Sequence, residues 1–171
     1  MKKLRWIILL LLFALAGWYF YPAKSLPQGS VIDKLIVYKS KRQMMAYQNG
    51  RLLKVYTIAL GKNPVGDKQY EGDCRTPEGK YTVNDRNPNS GYHKNLGISY
   101  PDAIDKANAK KLGKPVGGNI KIHGLRNGVV GYLSKLHRFT DWTNGCIALT
   151  NEEVDELYKV VKLGAVIEIN P

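Results

Sequence analysis

The chain has 171 residues, 44% hydrophobic and 10% aromatic, with 26 lysines and arginines against 14 acidic residues and a formal net charge of +12. Past an N-terminal segment this is enough for one domain with one core, and 17 glycines with well-represented Tyr, Val and Ile favour strands and turns over a helical bundle. The basic residues are spread out, with doublets only at Lys2-Lys3, Lys41-Arg42 and Lys110-Lys111, so no nucleic acid is expected as a partner; an anionic surface (phospholipid or wall polymer) fits the charge, as does an ordinary soluble basic protein.

In chain order, Met1 to Arg5 is short and basic, and residues 6–21 carry no charge and are rich in Leu and Ile. That pattern is an export signal, so residues 1–22 are expected to be a signal peptide or an N-terminal membrane anchor. Ala14-Leu15-Ala16 fits cleavage after Ala16. For an anchor over residues 4–21, the uncharged run reaches about 24 Å as a helix against a hydrocarbon core of ~30 Å. Trp18, Tyr19, Phe20 and Tyr21 would then form an interfacial belt. Either outcome places the rest outside the cytoplasm, in the periplasm or at the cell surface.

Residues 23–30 read as a linker and 31–171 as the domain. Strands are expected over 31–38, 44–48 and 52–60, with Asn49-Gly50 as a hairpin turn. A polar loop covers 61–75. Thr76-Pro77-Glu78-Gly79 fits a type I turn, leading to a strand over 80–84 and a loop from Asn87 to Gly91. A helix is expected over 101–112, stopped by Gly113, and a strand over 119–123. Thr150 and Glu153 form a capping box. Val154, Leu157, Tyr158 and Val161 share one helix face, with Gly164 closing the helix before a strand over 165–170. The sum is a mainly-β sandwich or partly closed barrel with two or three short rim helices.

Two segments carry chemistry: Ile120-Lys121-Ile122-His123-Gly124 and Asp141-Trp142-Thr143-Asn144-Gly145-Cys146. A free thiol titrates near pH 8.5 and needs a partner to act as a nucleophile. Of the three histidines, His123 ends a strand whose alternation puts Ile120 and Ile122 on one face and Lys121 and His123 on the other. Gly124 permits a sharp turn and frees a carbonyl to hold the ring Nδ1–H, leaving Nε2 for the thiol. Backbone N–H groups at Gly145 and Cys146 suit an oxyanion, and Thr143 offers a supporting hydroxyl. Asp141 and Trp142 either brace the cysteine loop or shape a substrate cleft. His137 falls in a polar stretch, 133–138, that reads as a surface helical lid, and His93 follows a loop. A competing reading pairs Cys74 with Cys146 in a disulfide, as an exported chain with two cysteines allows, and leaves a non-catalytic basic wall-binding module. No metal-ligand spacing and no phosphate loop appears, so neither metal nor cofactor is expected.

His123-Gly124 followed by Thr143-x-Gly145-Cys146 resembles the signature of the L,D-transpeptidase (YkuD-type) catalytic domain. Thr76-Pro77-x-Gly79-x-Tyr81 and Gly117-Gly118-Asn119-Ile120-x-Ile122-His123-Gly124 resemble two further family segments, and the likeness covers residues 31–170. The resemblance implies a mainly-β fold with a cleft over the cysteine and peptidoglycan stem peptides as substrates. Cys146 would attack the amide after a diamino acid and release the terminal D-residue, with His123 as general base, Gly124 orienting it, and Gly145 and Cys146 forming the oxyanion hole. An amine acceptor would give a cross-link or an attached protein. Asn144 and Ala148 stand where the family commonly has histidine and arginine. This variant resembles a branch that includes hydrolases, which would release wall-attached protein or a terminal D-residue. Asn144, with Asp141 and Trp142, is then a substrate-side candidate.

Overall fold

The alternation over 31–38 forms strand β1 (Ile32–Tyr38), which buries Ile32, Leu35 and Val37. The structure is a computed structural model and describes residues 2–20, 24–128 and 131–171. Strand β1 pairs antiparallel with β2 (Gln43–Gln48), which turns at Asn49-Gly50 into β3 (Arg51–Thr57). Both turn residues have positive φ (49° and 77°), the conformation that Asn-Gly adopts at least cost. The remaining strands are β4 (Gly79–Ser90), β5 (His93–Ile98), β6 (Lys121–His123), β7 (Ile147–Ala148) and β8 (Val161–Asn170). They form one sheet in the order β3-β2-β1-β8-β4-β5-β6-β7. With helices α1 (Lys2–Phe20), α2 (Ala103–Lys111) and α3 (Asn151–Val160), this is the mainly-β architecture expected.

One apolar cluster ties the sheet together. It runs from Leu35 and Val37 through Tyr81 and Leu96 to Ile120, Ile122, Ile147 and Leu149, with Val154 and Leu157 of α3 packed on it. Because Ile122 and Ile147 are both fully buried, the short β6–β7 pair is held by the core rather than by its own few hydrogen bonds. Helix α3 starts where the sequence places it: Thr150 accepts from the Glu153 N–H, and the Glu153 carboxylate accepts from the Thr150 N–H.

Several boundaries differ from expectation. No turn forms at Thr76-Pro77-Glu78-Gly79: the buried Lys39 ammonium takes the Thr76 carbonyl and the Glu78 carboxylate, and Gly79 already pairs with Ile169. Asn87 to Ser90 is strand rather than loop, pairing with β5 through a register shift that accommodates Pro88. Strand β5 was not anticipated. Gly164 does not end α3, because Val161 already leaves the helix, is buried, and pairs with Ile32. Gly164 (φ 84°) lies inside β8, beside the register shift of β1 and β8. Helix α1 covers most of the segment expected to direct export. Among the described residues no helix is long and apolar enough to cross a membrane. Tyr21 and residues 22–23, part of the predicted belt and the start of the linker, lie outside the described residues.

Candidate active site

The core that fixes β6 and β7 also fixes what projects from their other face. The strands run parallel with Ile122 opposite Ile147 and His123 opposite Ala148. Continuing that register by one residue sets Cys146 opposite Lys121, so His123 and Cys146 are diagonal neighbours on one face. Both line a cavity of about 410 Å³.

The ring of His123 is nearly buried, with Nδ1 2.7 Å from the Gly124 carbonyl. The carbonyl can only accept, so Nδ1 carries the proton and Nε2 is bare. Gly124 has no room for a side chain: a Cβ would lie 2.5 Å from Asn151 Oδ1 and 2.9 Å from His93 Cβ. Tyr92 tilts against the His123 ring at 4.8 Å between centroids, and Trp142 meets it edge-on at 5.6 Å. Burial holds the imidazole below the ordinary histidine range, opposed by the Gly124 carbonyl.

Cys146 is held by a tight turn. Thr143 Oγ1 donates to the Cys146 carbonyl (2.8 Å) and accepts from the Gly145 N–H (3.1 Å). The Gly145 N–H is therefore occupied in this arrangement rather than free for an oxyanion, as the sequence suggested. Gly145 has φ 127°, and a Cβ there would meet the Arg75 carbonyl at 2.6 Å. The thiol lies 3.5 Å from the Asn119 carbonyl. Burial pushes it up, against the Lys121 backbone N–H and the charges of Lys121 and Lys68.

Asp141 braces the cysteine loop rather than facing substrate. Its carboxylate accepts from Arg42 Nη2 (2.8 Å) and Nε (3.2 Å) and from the Leu60 N–H (2.9 Å). Trp142 does line the cavity, and its Nε1 is buried without a hydrogen-bond partner among the described residues. Asn144 sits at the mouth, where Oδ1 accepts from Lys62 Nζ at 3.2 Å. It also lines a second cavity of about 340 Å³ that reaches Cys74 and Lys68. The Cys74–Cys146 disulfide is not formed; both thiols are free. His93 is tied to Asp155 at 2.9 Å, away from the pair. His137 lies in the 3₁₀ helix Gly131–Phe139. It is half-buried rather than a surface residue, and both ring nitrogens are buried.

Residues not named as site candidates complete the cavity: Lys62, Ser90, Tyr92, Asn95, Asn119 and Lys121. Asn95 lies across the β5–β6 ladder from His123, and its Oδ1 is buried with no donor among the described residues. Alternation had already placed Lys121 on the His123 face. Nothing local signals Asn95, because it arrives through strand pairing.

Residues 32–169 match the family model of the L,D-transpeptidase catalytic domain, YkuD. The chain belongs to this family. YafK of Escherichia coli strain K12, a candidate L,D-transpeptidase, is 30% identical over 131 residues, covering 73% of this chain and 45% of YafK. Among solved structures, the helical cell shape determining protein Pgp2 of Campylobacter jejuni matches with a TM-score of 0.58 and 26% identity, over 90% of this chain and 52% of Pgp2. Bd1075 of Bdellovibrio bacteriovorus matches at 0.55 and 25%, over 85% of this chain and 51% of its own. An L,D-transpeptidase from Mycobacterium smegmatis shares the fold at 0.52 and 14% identity, over 80% of this chain and 58% of its own. The chain spans about half the length of the relatives it matches.

Where the family pattern noted above has arginine, Ala148 stands opposite His123 in the β6–β7 register, on the face that carries Cys146. It is fully buried and exchanges both backbone hydrogen bonds with Ala59 (3.0 and 2.8 Å).

Proposed function

We propose that this L,D-transpeptidase-family chain is a cysteine acyltransferase that modifies peptidoglycan stem peptides outside the cytoplasm. The observation that carries this is the pairing of a thiol and a proton-accepting imidazole nitrogen on one face of β6 and β7, in one open cavity. Nε2 of His123 removes the Cys146 proton as sulfur attacks the carbonyl of the amide after the diamino acid. With the Gly145 N–H taken by Thr143, the Cys146 N–H is the first oxyanion donor, and Gly145 joins only if that bond yields. The His123 imidazolium returns the proton to the departing D-residue amine. An acceptor amine, deprotonated in turn by Nε2, then opens the thioester.

Asn144 favours a second reading in which water is the acceptor. Nε2 of His123 is the base for either acceptor, and the departures from the common family pattern at Asn144 and Ala148 are what motivate this reading. The enzyme would then be an amidase or L,D-carboxypeptidase, trimming terminal D-residues or releasing wall-attached protein. The basic start and apolar run of residues 1–22 support export and leave cleavage or anchorage open.

The test is mass analysis of tetrapeptide muropeptides incubated with the full chain. New cross-links mean transfer to an amine. Loss of the terminal residue with gain of water means hydrolysis. Equal turnover by wild type and Cys146→Ala refutes both.

A further inference from the structure

The candidate cavity is positively charged. Its lining includes Lys62 and Lys121 and no Asp or Glu among the described residues. Neither lysine is firmly neutralised. Lys62 donates to a neutral amide oxygen, that of Asn144. Lys121 lies 3.6 Å from Asp85, whose side chain is 56% exposed, and an ion pair of that kind holds its partners weakly. Lys121 also stands opposite Cys146 by register and lines the cavity, with its Nζ extended across β5 toward Asp85 of β4 in this arrangement. Asn95 also lines the cavity, and its Oδ1 is buried with no donor among the described residues. Burying such an oxygen unpaired is costly, and a bound N–H would satisfy it. Two weakly held cations and one buried acceptor without a donor among the described residues suit the end of an amino acid, with its carboxylate and its N–H.

We propose that Lys121 and Lys62 bind a carboxylate of the stem peptide and set the specificity of the site. This rests on the acyltransferase reading above. Together they supply positive charge to a cavity that has no arginine at position 148, from strand β6 and the loop after β3. Lysine offers a mobile point charge rather than a bidentate fork, so the site selects charge more than geometry. Two carboxylates meet the requirement: the terminal carboxylate of the D-residue, and a carboxylate on the side chain of the diamino acid.

The experiment measures binding by calorimetry to the full chain carrying Cys146→Ala, with three tetrapeptides. One has both carboxylates free, one has the side-chain carboxylate amidated, and one has the terminal carboxylate amidated. At least one amidation is expected to weaken binding about tenfold, and the arm that does so identifies the carboxylate read. Adding Lys121→Gln or Lys62→Gln should abolish that tenfold penalty, read as the ratio of the affinities for the free and the amidated peptide. Lys121→Arg should restore the preference in part, which a folding defect would not. Equal affinity for all three peptides, or a preference that survives both glutamine substitutions, overturns the proposal. Turnover by wild type is measured separately. Discrimination without turnover removes the acyltransferase reading and keeps the carboxylate site, whereas turnover without discrimination does the reverse.

Discussion

Nδ1 of His123 lies 2.7 Å from the carbonyl oxygen of Gly124, the next residue in the chain. That contact fixes the tautomer and leaves Nε2 without a proton. Burial disfavours the imidazolium and also disfavours the Cys146 thiolate. The two shifts act together, so the resting pair is neutral thiol and neutral imidazole rather than an ion pair. In the proposed reaction, Nε2 would then take the thiol proton as the sulfur attacks.

This predicts an alkylation profile. In a Cys74→Ala background, iodoacetamide should modify Cys146 slowly near pH 6. The rate should climb only as pH passes above the ordinary thiol range, with no plateau on the acid side. The rate is followed by intact mass against pH. A plateau below pH 7 would show a resident thiolate and contradict the neutral pair.

Asp141 joins the cysteine loop to Arg42 and Leu60 through three hydrogen bonds. Alanine there leaves the buried Leu60 N–H without its acceptor and removes the carboxylate partner of Arg42, which still donates to the Lys39 and Ser40 carbonyls. Asp141→Ala should cost about 1–3 kcal/mol in urea denaturation. Asp141→Asn, which keeps an acceptor for the Leu60 N–H, should cost roughly half as much. A cost equal to that of alanine would mean that the charge, not the Leu60 bond, matters at this position.

What the sequence revealed about this site was local. Alternation at Ile120 to His123 gave the face of the histidine, and Gly124 gave its carbonyl clamp. The Thr150–Glu153 pair gave the start of α3. What it hid was non-local or competitive. Asn95 reaches His123 only through the β5–β6 pairing. The Thr143 hydroxyl competes for the Gly145 N–H, and a list of donors cannot reveal that competition. Thr76-Pro77-Glu78-Gly79 has the composition of a turn, but Lys39, buried from 37 residues upstream, claims the carbonyl that a turn would use.

Gly145 is required twice over. Its φ of 127° suits glycine alone, and an added Cβ would press on the Arg75 carbonyl. The neighbour is backbone and cannot rotate away. Gly145→Ala should therefore destabilise the chain by about 1–3 kcal/mol, and its Cys146 should label at an altered rate because the Thr143 turn must open. Melting temperature and the iodoacetamide rate, measured on one preparation, check both effects. An unchanged labelling rate would mean that the strain is absorbed elsewhere, on the Arg75 side.

His137 gives a pH prediction with a definite sign. Its ring nitrogens are buried and lack a partner among the described residues. Burial comes first and the charges of Arg138 and His123 second in pushing it down to about 4. The unfolded chain takes up a proton at this ring as pH falls through about 6.5, while the folded chain resists until about 4. Stability is therefore lost as pH drops between those values, by at most about 3 kcal/mol for a shift of this size. His123, also depressed, adds in the same direction. Replacing His137 with leucine removes the larger contribution. Urea midpoints at pH 7 and pH 4.5 should separate widely for the wild-type chain and less, by about 2–3 kcal/mol, for His137→Leu. If both proteins lose the same stability, the His137 ring accepts its proton freely in the folded state, and the 3₁₀ segment does not hold it neutral.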